Sequence, residues 1–191
     1  EILWDINHFL SLPENEYLLI FQGAFLDKDR GVVEAVKAME LIEGAHLLII
    51  GAGEEHTQAA ELRSSLGLEN KVTVLPKQPY EQLRQYTNLA DAGLSLDKGI
   101  YFNYLYSLPN KLFDYIHAGI PVIASDLPEV GKVVKDYGLG MTIQEVTPDQ
   151  IAKAIKELMK YTEGEYAKNL ERASQKFHWE EESKVIGKLL D

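Results

Sequence analysis

The chain has 191 residues, 46% of them hydrophobic and 26% charged, an ordinary globular composition with enough material for one large domain or two small ones. Its formal net charge of −11 argues against nucleic acid as the main partner, because phosphate backbones require a basic face; a small anionic ligand needs only a few local donors and stays open. The absence of cysteine excludes disulfides and thiolate metal sites.

Residues 1–15 stand outside the pattern that follows, and 1–10 read as a linker or helix entering from elsewhere. A chain that opens on Glu1, with no basic and apolar leader, is expected to be an excised or processed piece. Tyr17–Gly23 is a predicted strand ending in glycine. Residues 32–42 then place Val32, Val33, Val36 and Met39 on one helical face. Residues 46–51 form a second strand, and their run His46-Leu-Leu-Ile-Ile50 is far short of the roughly 20 apolar residues a membrane span requires. Gly51-Ala-Gly53 follows, then a helix over 54–66, a strand over 71–75 and a short helix over 79–88. Strands are predicted over 92–96, 121–125 and Gly140–Ile143, with a helix over 108–118 between the first two. Helices over 148–161, 165–177 and 179–190 close the chain.

Apolar strands alternating with helices predict an α/β fold: a Rossmann-like, doubly wound parallel sheet of about six strands with helices on both faces. Such sheets bind ligands beyond the carboxyl ends of their strands, so the loops after Gly23, Gly51, Leu75, Leu96 and Ser125 should share one edge.

The stretch Ser107-Leu-Pro-Asn-Lys-Leu-Phe-Asp-Tyr-Ile-His-Ala-Gly119 carries the most chemistry. Ser107 is the predicted N-cap, and Pro109 fits the first turn, where its missing N–H costs nothing. The amides near Leu108, Asn110 and Lys111 lack intrahelical partners and suit an anion, such as a diphosphate. Asp114 lies about one turn further on, within reach of ribose hydroxyls, and Gly119 stops the helix. Helix chemistry alone also fits a plain surface helix with an exposed Asp and Lys. Gly51-Ala-Gly53 reads as a tight turn leaving room for ligand; a dinucleotide fingerprint would need a third glycine where His56 stands. The five histidines show no metal-ligand spacing.

Residues 107–125 resemble the signature of retaining GT-B glycosyltransferases, in particular glycosyltransferase family four (group one): a Glu, a spacer, a second Glu, a small-residue turn, then Gly, any residue, Pro and Val. Asp114-Tyr-Ile-His-Ala-Gly-Ile-Pro-Val122 matches the second half, with Asp114 in the slot of the ribose-binding carboxylate. The first Glu's slot, which in the family contacts the transferred sugar, falls on Tyr106; a phenol offers a hydrogen bond but no negative charge at neutral pH. Gln22-Gly23 followed by Asp29-Arg30-Gly31 resembles the family's first loop, with Arg30 in the position of a diphosphate-binding Lys and Ala24 where the family carries Arg; Lys111 would offset that missing cation. Lys77 and Gln78 resemble the segment flanking the nucleobase, and Asn103, in a loop rich in tyrosine, would orient sugar hydroxyls or pack on another domain. Glu129 resembles an acidic residue of the next helix and is read as structural.

The resemblance implies transfer of a sugar, with retention, from a nucleotide diphosphate sugar to an acceptor hydroxyl. Tyr106, Arg30 and Lys111 would be the catalytic candidates. Gly23, Arg30, Lys77, Gln78, Asn103, Ser107, Leu108, Pro109, Asn110, Lys111 and Asp114 would bind the donor, with no metal or other cofactor. Residues 16–178 would form the donor-binding half of the enzyme, and 179–191 a helix returning toward an amino-terminal acceptor domain that is the implied partner. The implied location is cytoplasmic, with any attachment to the inner membrane face supplied by that other domain. Two alternatives stand beside this reading: a GT-B nucleotide-sugar epimerase, and a non-catalytic nucleotide-binding or interaction module.

Overall fold

The computed structural model describes residues 16–161 and 164–178. The expected linker or helix over 1–10 and the helix over 179–190 therefore lie outside the described residues. Six strands form one sheet: β1 (Tyr17–Gly23), β2 (Ala45–Gly51), β3 (Val72–Pro76), β4 (Ala92–Ser95), β5 (Val122–Ser125) and β6 (Gly140–Ile143). Their spatial order is β3-β2-β1-β4-β5-β6, and every pairing is parallel. Parallel pairing aligns all carboxyl ends along one edge, as the alternation required.

The helices are α1 (Val32–Ala38), α2 (Glu54–Ser65), α3 (Tyr80–Leu89), α4 (Phe102–Tyr106), α5 (Asn110–Ala118), α6 (Pro128–Tyr137), α7 (Pro148–Leu158) and α8 (Ala167–Lys176). Two differ from the sequence reading in kind, and α5 starts later than the expected residue 108. The segment after Val32 tightens into a 3-10 turn at Met39–Leu41. The tyrosine-rich stretch read as loop contains α4, a helix of five residues without a buried side chain.

Strand side chains alternate between two cores. Leu19, Phe21, Leu47 and Ile49 pack with Val32, Val36, Ala59, Ile151 and Ile155 on one face. Leu18, Ile20, Leu48 and Ile50 pack with Leu112, Tyr115, Ile116, Val130 and Leu170 on the other. Removing water from both faces explains the near-continuous apolar runs of β1 and β2, each buried Leu or Ile contributing about 1.5–3 kcal/mol. One close approach seats α5: a Cβ on Gly93 of β4 would lie 2.4 Å from the Tyr115 ring, so only glycine lets that ring cross the strand. No helix of the described residues is long and apolar enough to cross a membrane.

Candidate functional site

The strand order reverses between β1 and β4, and at that point the carboxyl edge opens into a cleft. A wide chamber of about 780 Å³ is lined by Gln22, Lys77, Gln78, Tyr80, Asp114 and His117, among others. A narrower one of about 360 Å³ is lined by Arg30, Asn103, Tyr104, Ser107, Leu108 and Pro109. Gly23, Ala24, Asn110 and Lys111 border both, so the two meet over the start of α5 as one trench. Another hollow, of about 500 Å³, lies at the opposite edge against Tyr17, Asp91 and Pro121; it holds none of the nominated residues.

The start of α5 differs from the expected geometry. Pro109, not Ser107, holds the N-cap position, with φ −73° and ψ 143°. Ser107 is the C-cap of α4 in an extended conformation and makes no capping bond. The physical reason is the proline: its ring disfavours helical backbone at Leu108, so Leu108 cannot open a helix capped by Ser107, and with Pro109 itself extended α5 begins at Asn110. The amides that α5 itself leaves without partners are thus at Asn110 and Lys111, where the two chambers join. Leu108 lies one residue before the cap and lines the narrow chamber.

Asp114 faces the wide chamber as a half-buried carboxylate. Its Oδ2 accepts from Gln22 Nε2 at 2.8 Å and its Oδ1 from the Tyr80 hydroxyl at 3.4 Å. Gln22 is itself fixed: it is buried, and its Oε1 accepts from the Thr87 hydroxyl at 2.7 Å. The Tyr115 hydroxyl accepts from the Gln22 amide at 3.3 Å and donates toward the Leu94 carbonyl at 3.2 Å. This chain of bonds sets the rotamer of Asp114. Burial pushes its carboxyl above the ordinary range, and the bonds from Gln22 and Tyr80 offset only part of that.

Arg30 and Lys111 converge as the resemblance implied, but on a protein anion. Asp97, buried just beyond β4, accepts from Arg30 Nη1 at 2.7 Å through Oδ1 and pairs with Lys111 Nζ at 3.0 Å through Oδ2. Burial alone would push the Asp97 carboxyl up; Lys111 and Arg30 outweigh it and hold the group below the usual carboxylate range. Burial draws the Lys111 ammonium down, with Asp97 opposing. Lys111 is therefore a buried member of an ion triad, not the exposed lysine of a plain surface helix. Its Nζ lies 5.0 Å from the Phe21 ring centroid, and the Arg30 guanidinium lies 4.2 Å from that of Tyr104.

The remaining nominated residues separate. Lys77 and Gln78 reach the wide chamber, Lys77 with its Nζ 5.5 Å from the Phe25 ring centroid and Gln78 bonded to the Pro76 carbonyl at 2.9 Å. Asn103 reaches the narrow one. Tyr106 borders neither chamber; it is 60% exposed and stacks on Phe102 with ring centroids 6.1 Å apart. Gly51 lines the wide chamber, but the rest of the Gly51-Ala-Gly53 turn is taken up by the protein itself. The first loop fills it, the Leu26 amide donating to the Ala52 carbonyl at 2.6 Å and the Glu55 amide to the Leu26 carbonyl at 2.9 Å. Glu55, buried, in turn accepts from the amides of Asp29 and Val32 at 2.8 and 2.9 Å, closing the start of α1. Glu129 lies in the first turn of α6.

A family model described as "Glycosyl transferases group 1" matches residues 4–177. The chain belongs to the group 1 glycosyl transferases. Solved structures share the fold of this group 1 domain. HepE from Anabaena in complex with UDP superposes with a TM-score of 0.80 at 15% identity, over 97% of this chain and 51% of its own. Sucrose-phosphate synthase from Thermosynechococcus elongatus superposes at 0.78 and 22% identity, over 97% of this chain and 47% of its own. WaaG, a glycosyltransferase involved in lipopolysaccharide biosynthesis, superposes at 0.67 and 17% identity, over 88% and 45%. The group 1 domain thus spans about half the length of the structures it matches. No curated protein matches it.

Proposed function

We propose that this domain is the donor-binding half of a retaining, family-four glycosyltransferase that moves a sugar from a nucleotide diphosphate sugar to an acceptor hydroxyl. The observation that carries the reading is the continuous trench: a carboxylate chamber and a cationic chamber meeting over the unpartnered amides of α5. That HepE was crystallised with UDP and glucose supports it. In this reading Asp114 accepts the ribose hydroxyls, with Lys77 and Gln78 beside the base. The amides of Asn110 and Lys111, with Arg30, hold the diphosphate, and Gly23 leaves it space. Asn103, Ser107, Leu108 and Pro109 border the sugar. Residues 16–178 make the donor domain; 1–15 and 179–191 connect it to an acceptor domain. As the sugar–phosphate bond breaks, its electron pair stays on the diphosphate oxygen, and prearranged donors there stabilise the developing charge. Helix amides and cations do this work without a metal.

Calorimetric titration of the chain with UDP-glucose, GDP-mannose and ADP-glucose tests the reading. One donor should bind, and Asp114→Ala should abolish that binding while circular dichroism stays unchanged. No binding by the wild type, or unchanged binding by D114A, overturns it. Turnover is expected to be absent from this chain alone. The exposed position of Tyr106 favours a second reading, a nucleotide-binding module that never turns over. Activity on joining the remainder of the parent protein would sink that one.

A further inference from the structure

Asp97 lines neither chamber but pairs from behind with two residues that do, Arg30 and Lys111, and the reading above does not use it. It is 5% exposed, and its oxygens are engaged by Arg30, which would hold phosphate, and by the ammonium of Lys111, whose backbone amide would. The other nearby cation, Lys98, is taken up by Glu34 at 2.8 Å and Asp29 at 3.8 Å. The phosphate seat at the narrow chamber therefore keeps a single net positive charge from Arg30, Lys111 and Asp97. Its cations still have donors to give. Arg30 Nε is buried without a partner among the described residues, and an ammonium has three N–H groups, of which Asp97 engages one oxygen's worth.

Net charge at this seat distinguishes substrate from product. A nucleotide diphosphate sugar carries its terminal phosphate as a diester. When the bond to the sugar carbon breaks, the electron pair remains on that phosphate oxygen, the sugar carbon bonds to the acceptor oxygen, and the acceptor's hydroxyl proton leaves to solvent. The nucleoside diphosphate so formed gains up to one further negative charge near neutral pH, at the terminal phosphate. That phosphate lies toward the narrow chamber, which Arg30 lines with Asp97 paired behind it.

Resting on the donor-site reading, we infer that Asp97 is a specificity-determining residue: its carboxylate holds the seat to one net positive charge, and so disfavours the nucleoside diphosphate product relative to the nucleotide-sugar donor. Without it, two uncompensated cations would favour the more highly charged product and delay its departure. The carboxylate also holds both cations in place before any ligand arrives.

The test is the ratio of two dissociation constants, donor over product, measured by calorimetry on the full chain. UDP-glucose with UDP, GDP-mannose with GDP, and ADP-glucose with ADP are titrated against wild type, Asp97→Asn and Lys111→Met. D97N adds one positive charge to the seat where Lys111 keeps its proton, so the titrations are repeated across pH. The ratio should rise roughly tenfold in favour of the product on the acidic side, where that ammonium is charged. K111M removes one and should lower the ratio by a similar factor. K111M is the variant to rely on if D97N fails to fold, since Arg30 still pairs with Asp97 and the methionine fills the aliphatic space. Ratios unchanged in the folded variants, both ligands weakening or tightening together, overturn the proposal and leave the donor site standing. A wild-type chain that binds no nucleotide overturns both.

Discussion

At Asp114, burial and hydrogen bonding pull the carboxyl in opposite directions, and burial prevails. A carboxyl raised in the folded state adds stability that is complete below its unfolded pKa and is lost as pH rises through the folded one. On the proposed donor reading the ligand has the opposite requirement, because ribose hydroxyls need an ionised acceptor. Donor affinity should therefore fall on acidification through a midpoint above the ordinary Asp value of about 3.9. Asp114→Asn should lower affinity at neutral pH by roughly ten- to a hundredfold, the range for hydrogen bonds to a charged group, and flatten the pH profile. Its urea midpoint should equal or exceed the wild type's, since an amide carries no charge to desolvate. A D114N profile that keeps the wild-type acid limb would remove Asp114 from the site. Asp114 itself was legible in sequence because it sits in a local pattern. Its partners were not: Gln22 lies 92 residues away, and Asp97 meets Arg30 across 67. No local spacing signals contacts that only the strand order creates.

The elements were legible where packing enforces a period. β1 and β6 fall on the expected Tyr17–Gly23 and Gly140–Ile143, and the other strands differ from expectation at their ends only. The misreadings cluster where local rules compete. Ser107 has the preferred capping chemistry, yet Pro109 decides where α5 begins. The helix α4 has no fully buried side chain, so it leaves no hydrophobic period to detect. Placement of α5 against the sheet also depends on a residue no periodicity marks, Gly93, which clears the Tyr115 ring. Gly93→Ala should force that ring off β4 at a cost of about 1–3 kcal/mol, read as a lower urea midpoint. Because the Tyr115 hydroxyl bonds the Gln22 backbone, the same change should weaken donor binding several-fold without touching the trench. Stability lost with affinity intact would show that the ring does not position the site.

The whole molecule couples these levels. The site is lined from the loops after β1, β2 and β3 and from α3 and α5 in the wide chamber, and from the first loop, α4 and α5 in the narrow one. None of these surfaces exists as a site in the unfolded chain, so a ligand bridging them binds the folded state alone. Its stabilisation grows as the logarithm of concentration over the dissociation constant, about 2.7 kcal/mol at a hundredfold excess. For a domain of this size that is a rise in Tm of roughly 5–10 °C. Overall charge opposes the ligand: the chain carries −11, so the local donors act against a repulsive background and added salt should cost little affinity until it screens the seat itself. Thermal unfolding with the bound donor should show this shift in the wild type. At the same concentration, Asp114→Asn should retain about half of it or less, in proportion to its weaker binding. The hollow at the opposite edge, against Tyr17 and Asp91, provides the internal contrast: a ligand held there would protect both proteins equally. Equal shifts would move the site to that edge, and unequal ones keep it where the strands end.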